Sequence, residues 1–181
     1  MNTFLPKGYK APEGSSSFMK LAEGANRFRV FGDAVIGWEG WKDNKPFRRQ
    51  GIDQNINADE VDTDQKYGKP KINHFWAFKV WDYADGGSVK LLEITQKTIM
   101  KAIQSLTEDD DWGDPTKYDI SITKTKEGER TSYSVKAYPP KAVSPDVDEA
   151  VEESDIDPMS LFAEAEEKTT VKKPAKKSKD F

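Results

Sequence analysis

Apolar and polar positions alternate most clearly between Asn73 and Thr95. Side chains on an extended chain point to opposite faces in turn, so His74, Trp76, Phe78 and Val80 share one side. Phe75, Ala77, Lys79, Trp81 and Tyr83 share the other. Ala84-Asp85-Gly86-Gly87 then supplies residues that tolerate the positive φ of a tight turn, and a second strand runs on toward Thr95. The stretch predicts a hairpin. Its first face reads as core. Its second face is aromatic but holds a lysine, which a fully buried face does not hold unpaired without cost. The expectation is a solvent-facing sheet surface, aromatic and cationic. The alternative is a strand buried on both sides whose lysine reaches its edge.

The pattern recurs upstream. Phe28 and Val30 alternate with Arg27 and Arg29, predicting a strand with one basic face. Gly32, Gly37 and Gly40 permit bulges or coiling, and Trp38 and Trp41 lie in the same stretch. Asp43-Asn44-Lys45-Pro46 reads as a turn, after which Phe47-Arg48-Arg49 resumes a basic strand end. Residues 51–71 read as a long polar loop, a length uncommon inside compact domains unless functional or mobile. Its basic end, Lys66, Tyr67, Lys69 and Lys71, can fold over a bound strand. Asp59, Asp62 and Asp64 lack the glycine and distal glutamate of a calcium loop, so no metal site is expected.

Downstream, Thr95 to Leu106 predicts the one helix of the body. Thr95 caps it, and Ile99, Ala102, Ile103 and Leu106 form its core stripe. Glu108 to Asp111 would oppose the dipole at its C-terminus, so it should stop before them. Tyr118-Ile120-Ile122 and Tyr133-Val135-Ala137 form two more alternating runs joined by Lys126-Glu127-Gly128-Glu129, and Pro139-Pro140 closes the body. Three strands, one helix and two strands is the order of an OB-fold. That mostly β fold is a five-stranded barrel with one helix between strands 3 and 4, whose strand 2–3 face binds oligonucleotides or oligosaccharides.

Composition narrows the chemistry. The chain has 181 residues, no cysteine and a single histidine, His74, so disulfides, thiolate catalysis and zinc-thiolate sites are excluded. A His-based metal site or a Ser-His-Asp triad has little material. No apolar run approaches the roughly 18 residues of a membrane span, so a soluble, intracellular protein with no membrane association is expected. The net charge of −4 conceals segregation: residues 1–143 carry +1, residues 144–167 carry −10 and residues 168–181 carry +5. The expected organisation is an arm over residues 1–24 packed on the body, a domain over 25–143, and a disordered acidic tail with a lysine-rich end over 144–181. Within that tail Asp157 and Pro158 can start a short helix, and Met159, Leu161 and Phe162 form a candidate partner-binding segment.

Unpaired bases need π-faces to stack on, and their phosphates need positive charge. The candidate set for single-stranded DNA is accordingly Arg27, Arg29, Trp38, Trp41, Lys45, Phe47, Arg48 and Arg49, with Tyr67, Lys69 and Lys71 on the loop and Phe75, Lys79, Trp81 and Tyr83 on the hairpin. The acidic tail, tethered beside a positive groove, is expected to compete there as an electrostatic mimic of DNA. An OB-type RNA or oligosaccharide module is the alternative, although sugar sites rarely need so many arginines. Carboxylates are abundant but lie in loops and tail, so no catalytic residues and no cofactor are expected.

In FLPKGYKAPEG, FMKLAEGANRFRVFG, HFWAFKVWDY, LLEITQKTI and the DWGDP turn, the chain resembles single-stranded-DNA-binding proteins encoded by tailed bacteriophages. The resemblance runs from about Phe4 to Pro140. It implies an OB-fold body and sequence-independent binding of unpaired DNA in phage replication, recombination and repair, in the cytoplasm of a bacterial host. It also implies an acidic tail that contacts phage or host replication proteins. This tail departs from the pattern in its lysine-rich end, after which Asp180-Phe181 restores an acidic-aromatic tip.

Overall fold

The computed structural model describes residues 18–162. It contains a six-stranded antiparallel sheet: β1 (Gly24–Lys42), β2 (Lys45–Gln50), β3 (Ile72–Asp82), β4 (Ser88–Ile94), β5 (Asp119–Glu127) and β6 (Arg130–Ala137). Two helices accompany it, α1 (Lys97–Glu108) between β4 and β5, and α2 (Pro145–Glu153) after β6. The sheet order is β4-β3-β1-β5-β6, with β2 paired to β1.

The central strand is β1. One edge pairs with β3 over most of its length; the other pairs first with β5 and then with β2. The β3 register slips between Phe31↔Lys79 and Val35↔Ala77, so four steps along β1 match two along β3. The two extra residues restore the same face after the bulge, and Gly32, at φ 75°, supplies the left-handed conformation there. The turn into β2 has Asp43 and Asn44 both at positive φ, as a two-residue hairpin of matching twist requires.

The core lies on one side of the sheet. Phe28, Val30, Phe78, Val80, Leu92, Ile94, Tyr118, Ile120 and Ile122 meet Ile99, Met100 and Ile103 of α1. Met19 closes this cluster from the arm, where its N–H donates to the Leu91 carbonyl at 2.9 Å along the outer edge of β4. The long 51–71 segment is anchored by buried Ile56 and Val61. Among the described residues no helix is long and apolar enough to cross a membrane, and no cluster of His, Cys, Asp or Glu gathers as a metal site would.

Several expectations change. The sheet has six strands, because Lys45–Gln50 pairs fully with β1. It is open: among the described residues β4 and β6 do not pair, and closure into a barrel is not seen. Helix α1 starts at Lys97 behind Gln96, with no side-chain cap from Thr95, and its last residue is Glu108. Disorder does not extend over residues 144–162, which hold α2 and a short apolar anchor; the rest of the tail, the lysine-rich end included, lies outside the described residues. So do Phe4 and Leu5 of the arm.

Candidate nucleic-acid interface

Residues paired across strands share a face, so the registers define the surface opposite the core. Arg29 faces Trp81, Phe31 faces Lys79, Val35 faces Ala77 and Gly37 faces Phe75. Val89, Leu91 and Glu93 of β4 flank Trp81, Lys79 and Ala77 in turn. Asp119 of β5 lies opposite Arg29. This surface holds Arg27, Arg29, Lys79 and Arg48 among Phe31, Phe75, Trp81 and Tyr83.

Its three arginines are held by carboxylates. Asp119, buried, accepts from Arg27 at 2.7 and 3.0 Å and from Arg29 at 2.6 Å, and the Tyr83 hydroxyl donates to it at 3.0 Å. Arg29 is 3% exposed and also donates to the carbonyls of Thr116 and Lys141, so in this arrangement its guanidinium is committed within the fold. Arg27 remains partly open. Its guanidinium lies 4.0 Å over the Tyr138 ring and 5.4 Å from that of Tyr83, and the bond to Asp119 raises its pKa. At the other end Arg48 bridges Glu39 at 3.0 Å and Glu93 at 3.1 Å. One guanidinium shared by two carboxylates does not offset burial and the neighbouring Glu39, so the Glu93 carboxyl is pushed up to about 7. The set of Arg27, Arg29, Lys79 and Arg48 against Asp119, Glu39 and Glu93 has a net charge of one positive, and two when Glu93 is protonated.

The remaining candidates form a second group around the β1–β2 hairpin. Trp38 packs on His74 with ring centroids 4.6 Å apart, and its indole N–H donates to the Ile52 carbonyl. Arg49 pairs with Glu60 at 2.7 Å and lies 5.3 Å from the Phe47 ring. The same guanidinium, with the Asn57 N–H, holds the Glu60 carboxyl down at about 2. Trp41, Tyr67, Lys69 and Lys71 line one cleft of about 460 Å³, with Tyr67 66% exposed. Lys45 is exposed beside the hairpin turn.

The expectation that Phe75 faces solvent is corrected. Phe75 and Ala77 are fully buried, together with Leu91, beneath Leu161 and Phe162. The Phe162 and Phe75 rings lie 5.9 Å apart, and a Phe162 ring carbon comes within 3.1 Å of where a Cβ on Gly37 would stand. Lys79 Nζ donates to the Val151 carbonyl of α2 at 2.8 Å. Leu161 and Phe162 therefore sit on the sheet, whereas Met159 is exposed. Among the described residues no ion pair joins 144–162 to the body, so the acidic segment is held by apolar packing and a lysine–carbonyl bond, not by charge.

Sequence reasoning missed Phe31, Glu39, Glu93, Asp119 and Tyr138. Asp119 left a signal: it opens the polar side of an alternating strand, yet that polar side is buried at Asp119 and Ser121. Comparison with protein-family models, with curated proteins and with solved structures finds no match.

Proposed function

We propose that this chain is a non-catalytic, sequence-independent binder of single-stranded DNA. The observation that carries the reading is the gathering of Arg27, Lys79 and Arg48 with Phe31, Trp81 and Tyr83 on the sheet face opposite the core, where Phe75 joins them only once Leu161 and Phe162 leave it. Bases stack on such rings regardless of sequence, and phosphates take the cations. Setting aside the β2 hairpin, three strands, a helix and two strands follow one another as in an OB-fold, which is itself a partly open barrel. The resemblance to phage single-stranded-DNA-binding proteins supports a role in phage replication, recombination and repair within the bacterial cytoplasm. The Met159 to Phe162 segment would then serve phage or host replication proteins when it leaves the sheet.

A tryptophan-fluorescence titration with oligo-dT, duplex DNA and RNA tests the reading. Oligo-dT should quench the signal with a steep loss of affinity on adding salt, since each neutralised phosphate of a single strand adds about 0.7 to the slope. Duplex should bind weakly. Equal affinity for duplex, or a neutral oligosaccharide binding with no salt dependence, would remove it.

A further inference from the structure

Apart from the covered part of the sheet, a cleft of about 550 Å³ lies between the arm and the β3–β4 turn. That volume is within the ~300–1,000 Å³ typical of small-molecule sites. Phe18, Lys20, Arg27, Tyr83 and Lys90 contribute to its lining, and no residue of 145–162 does. Phe18 is 37% and Tyr83 39% exposed; single exposed rings need no explanation, but two opening on one cleft beside three cations do. Arg27 is fixed there: Asp119 takes Nε and Nη2, Tyr138 backs the guanidinium, and Nη1 has no partner among the described residues. Lys20 makes no ion pair among the described residues; of the two lining carboxylates, Asp82 is matched by Lys90 at 2.9 Å, and Asp85, on the exposed turn, is set against the charges of Lys20 and Arg27.

We propose that this cleft is a nucleotide seat that stays open while residues 145–162 cover Phe75 and Ala77. One base stacks on Phe18 and Tyr83, and its phosphates are held by Lys20, Arg27 and Lys90. The proposal rests on the single-stranded DNA reading and adds two features to it: residues of the arm belong to the site, and a strand can engage before the C-terminal segment moves. A short oligonucleotide then binds the cleft alone, and a longer one continues along β3 only by displacing Phe162.

The test measures anisotropy of a labelled thymidine trinucleotide and of a long thymidine oligonucleotide on the full chain. It compares the natural protein with Phe18→Ala, Lys20→Glu and the double variant Leu161→Ala/Phe162→Ala. Phe18 and Lys20 are at the surface, and melting curves run alongside. The trinucleotide should bind the natural chain and lose at least about fivefold in Phe18→Ala, the lower end of what one stacked base contributes. Lys20→Glu should reduce its salt slope by about 0.7. The double variant should tighten the long oligonucleotide and leave the trinucleotide unchanged. Trinucleotide affinity unaltered by both arm variants, or raised by the double variant, overturns the seat. Binding of the long oligonucleotide without the trinucleotide also removes the seat but leaves the proposed function standing. If neither binds the natural chain or the double variant, both fall.

Discussion

Replacing Leu161 and Phe162 by alanine is the sharpest perturbation of the covered face. Both are more than nine-tenths buried, against Phe75, Ala77 and Leu91, outside the main core. Full burial of a large apolar side chain stabilises by about 1.5–3 kcal/mol, so removing the pair takes about 3 kcal/mol or more from the seated state. If DNA needs this face bare, the apparent dissociation constant is the intrinsic one divided by the open fraction. The double variant should bind oligo-dT more tightly by the natural closed-to-open ratio, about tenfold if closure is worth about 1.4 kcal/mol. Titration at low and high salt separates the mechanism. A charge mimic would lose its effect as the screening length falls from about 10 Å at 0.1 M to about 3 Å at 1 M. A segment held by Phe162 packing and the Lys79–Val151 bond keeps the ratio between variant and natural chain nearly constant. Equal affinities of the two proteins at both salt concentrations, with melting temperatures showing both folded, would mean that DNA does not use the surface under Phe162.

Arg48→Ala should lower the melting temperature by the equivalent of about 3–5 kcal/mol, because it leaves the buried Glu39 and the mostly buried Glu93 with no cation. Arg49→Ala, whose pair with Glu60 is largely exposed, should cost under about 1 kcal/mol, and its salt slope for oligo-dT reports whether it touches phosphate. Glu93 makes both binding and stability depend on pH. Its folded value, about 7, lies above the ordinary 4.5, so the folded state holds the extra proton and this group's stabilisation falls as pH rises from 4.5 to 7. Oligo-dT affinity should rise as pH falls through about 7, and Glu93→Gln should flatten both the binding and the melting profiles. Asp119→Ala should destabilise more than Asp85→Ala in thermal melts, since Asp119 is the shared counter-ion of Arg27 and Arg29 and Asp85 is an exposed turn residue.

The strands were legible because core positions recur at every second residue, between polar neighbours on β5 and on the Arg27–Arg29 part of β1, and opposite a second, mostly aromatic set on β3. Phe28, Val30, Phe78, Val80, Ile120 and Ile122 all lie where period-two reading puts them. Closure of the sheet was not legible, since no residue pattern states which edges meet. The aromatic face was identified as a face, but its cover was not. Leu161 and Phe162 lie more than 80 positions beyond Phe75, and a short apolar island in an acidic run gives no sign of its seat. The arginines read as free cations because alternation reports direction, not partners; Asp119 and Glu93 come from strands distant in sequence, and Glu39 from directly across the β1–β2 hairpin. Arg29 illustrates the difference: it points to the expected face and is enclosed there by the Thr116 and Lys141 carbonyls.

The central position of β1 has a kinetic consequence. The hairpins β1–β2, β3–β4 and β5–β6 each close through a tight turn and can form in microseconds. Joining β5 to β1 is different: the Asn26 side chain reaches the Ile122 carbonyl across 96 positions of chain. That junction has a large loop-closure entropy and no local contact to reward it early, which slows folding in domains rich in distant pairings. Until it forms, the unpaired edge of β1 and the apolar side of the β5–β6 hairpin are both bare. The interval between hairpin formation and docking of β5 is therefore the period in which newly made chains are most prone to pair with one another, strand edge to strand edge.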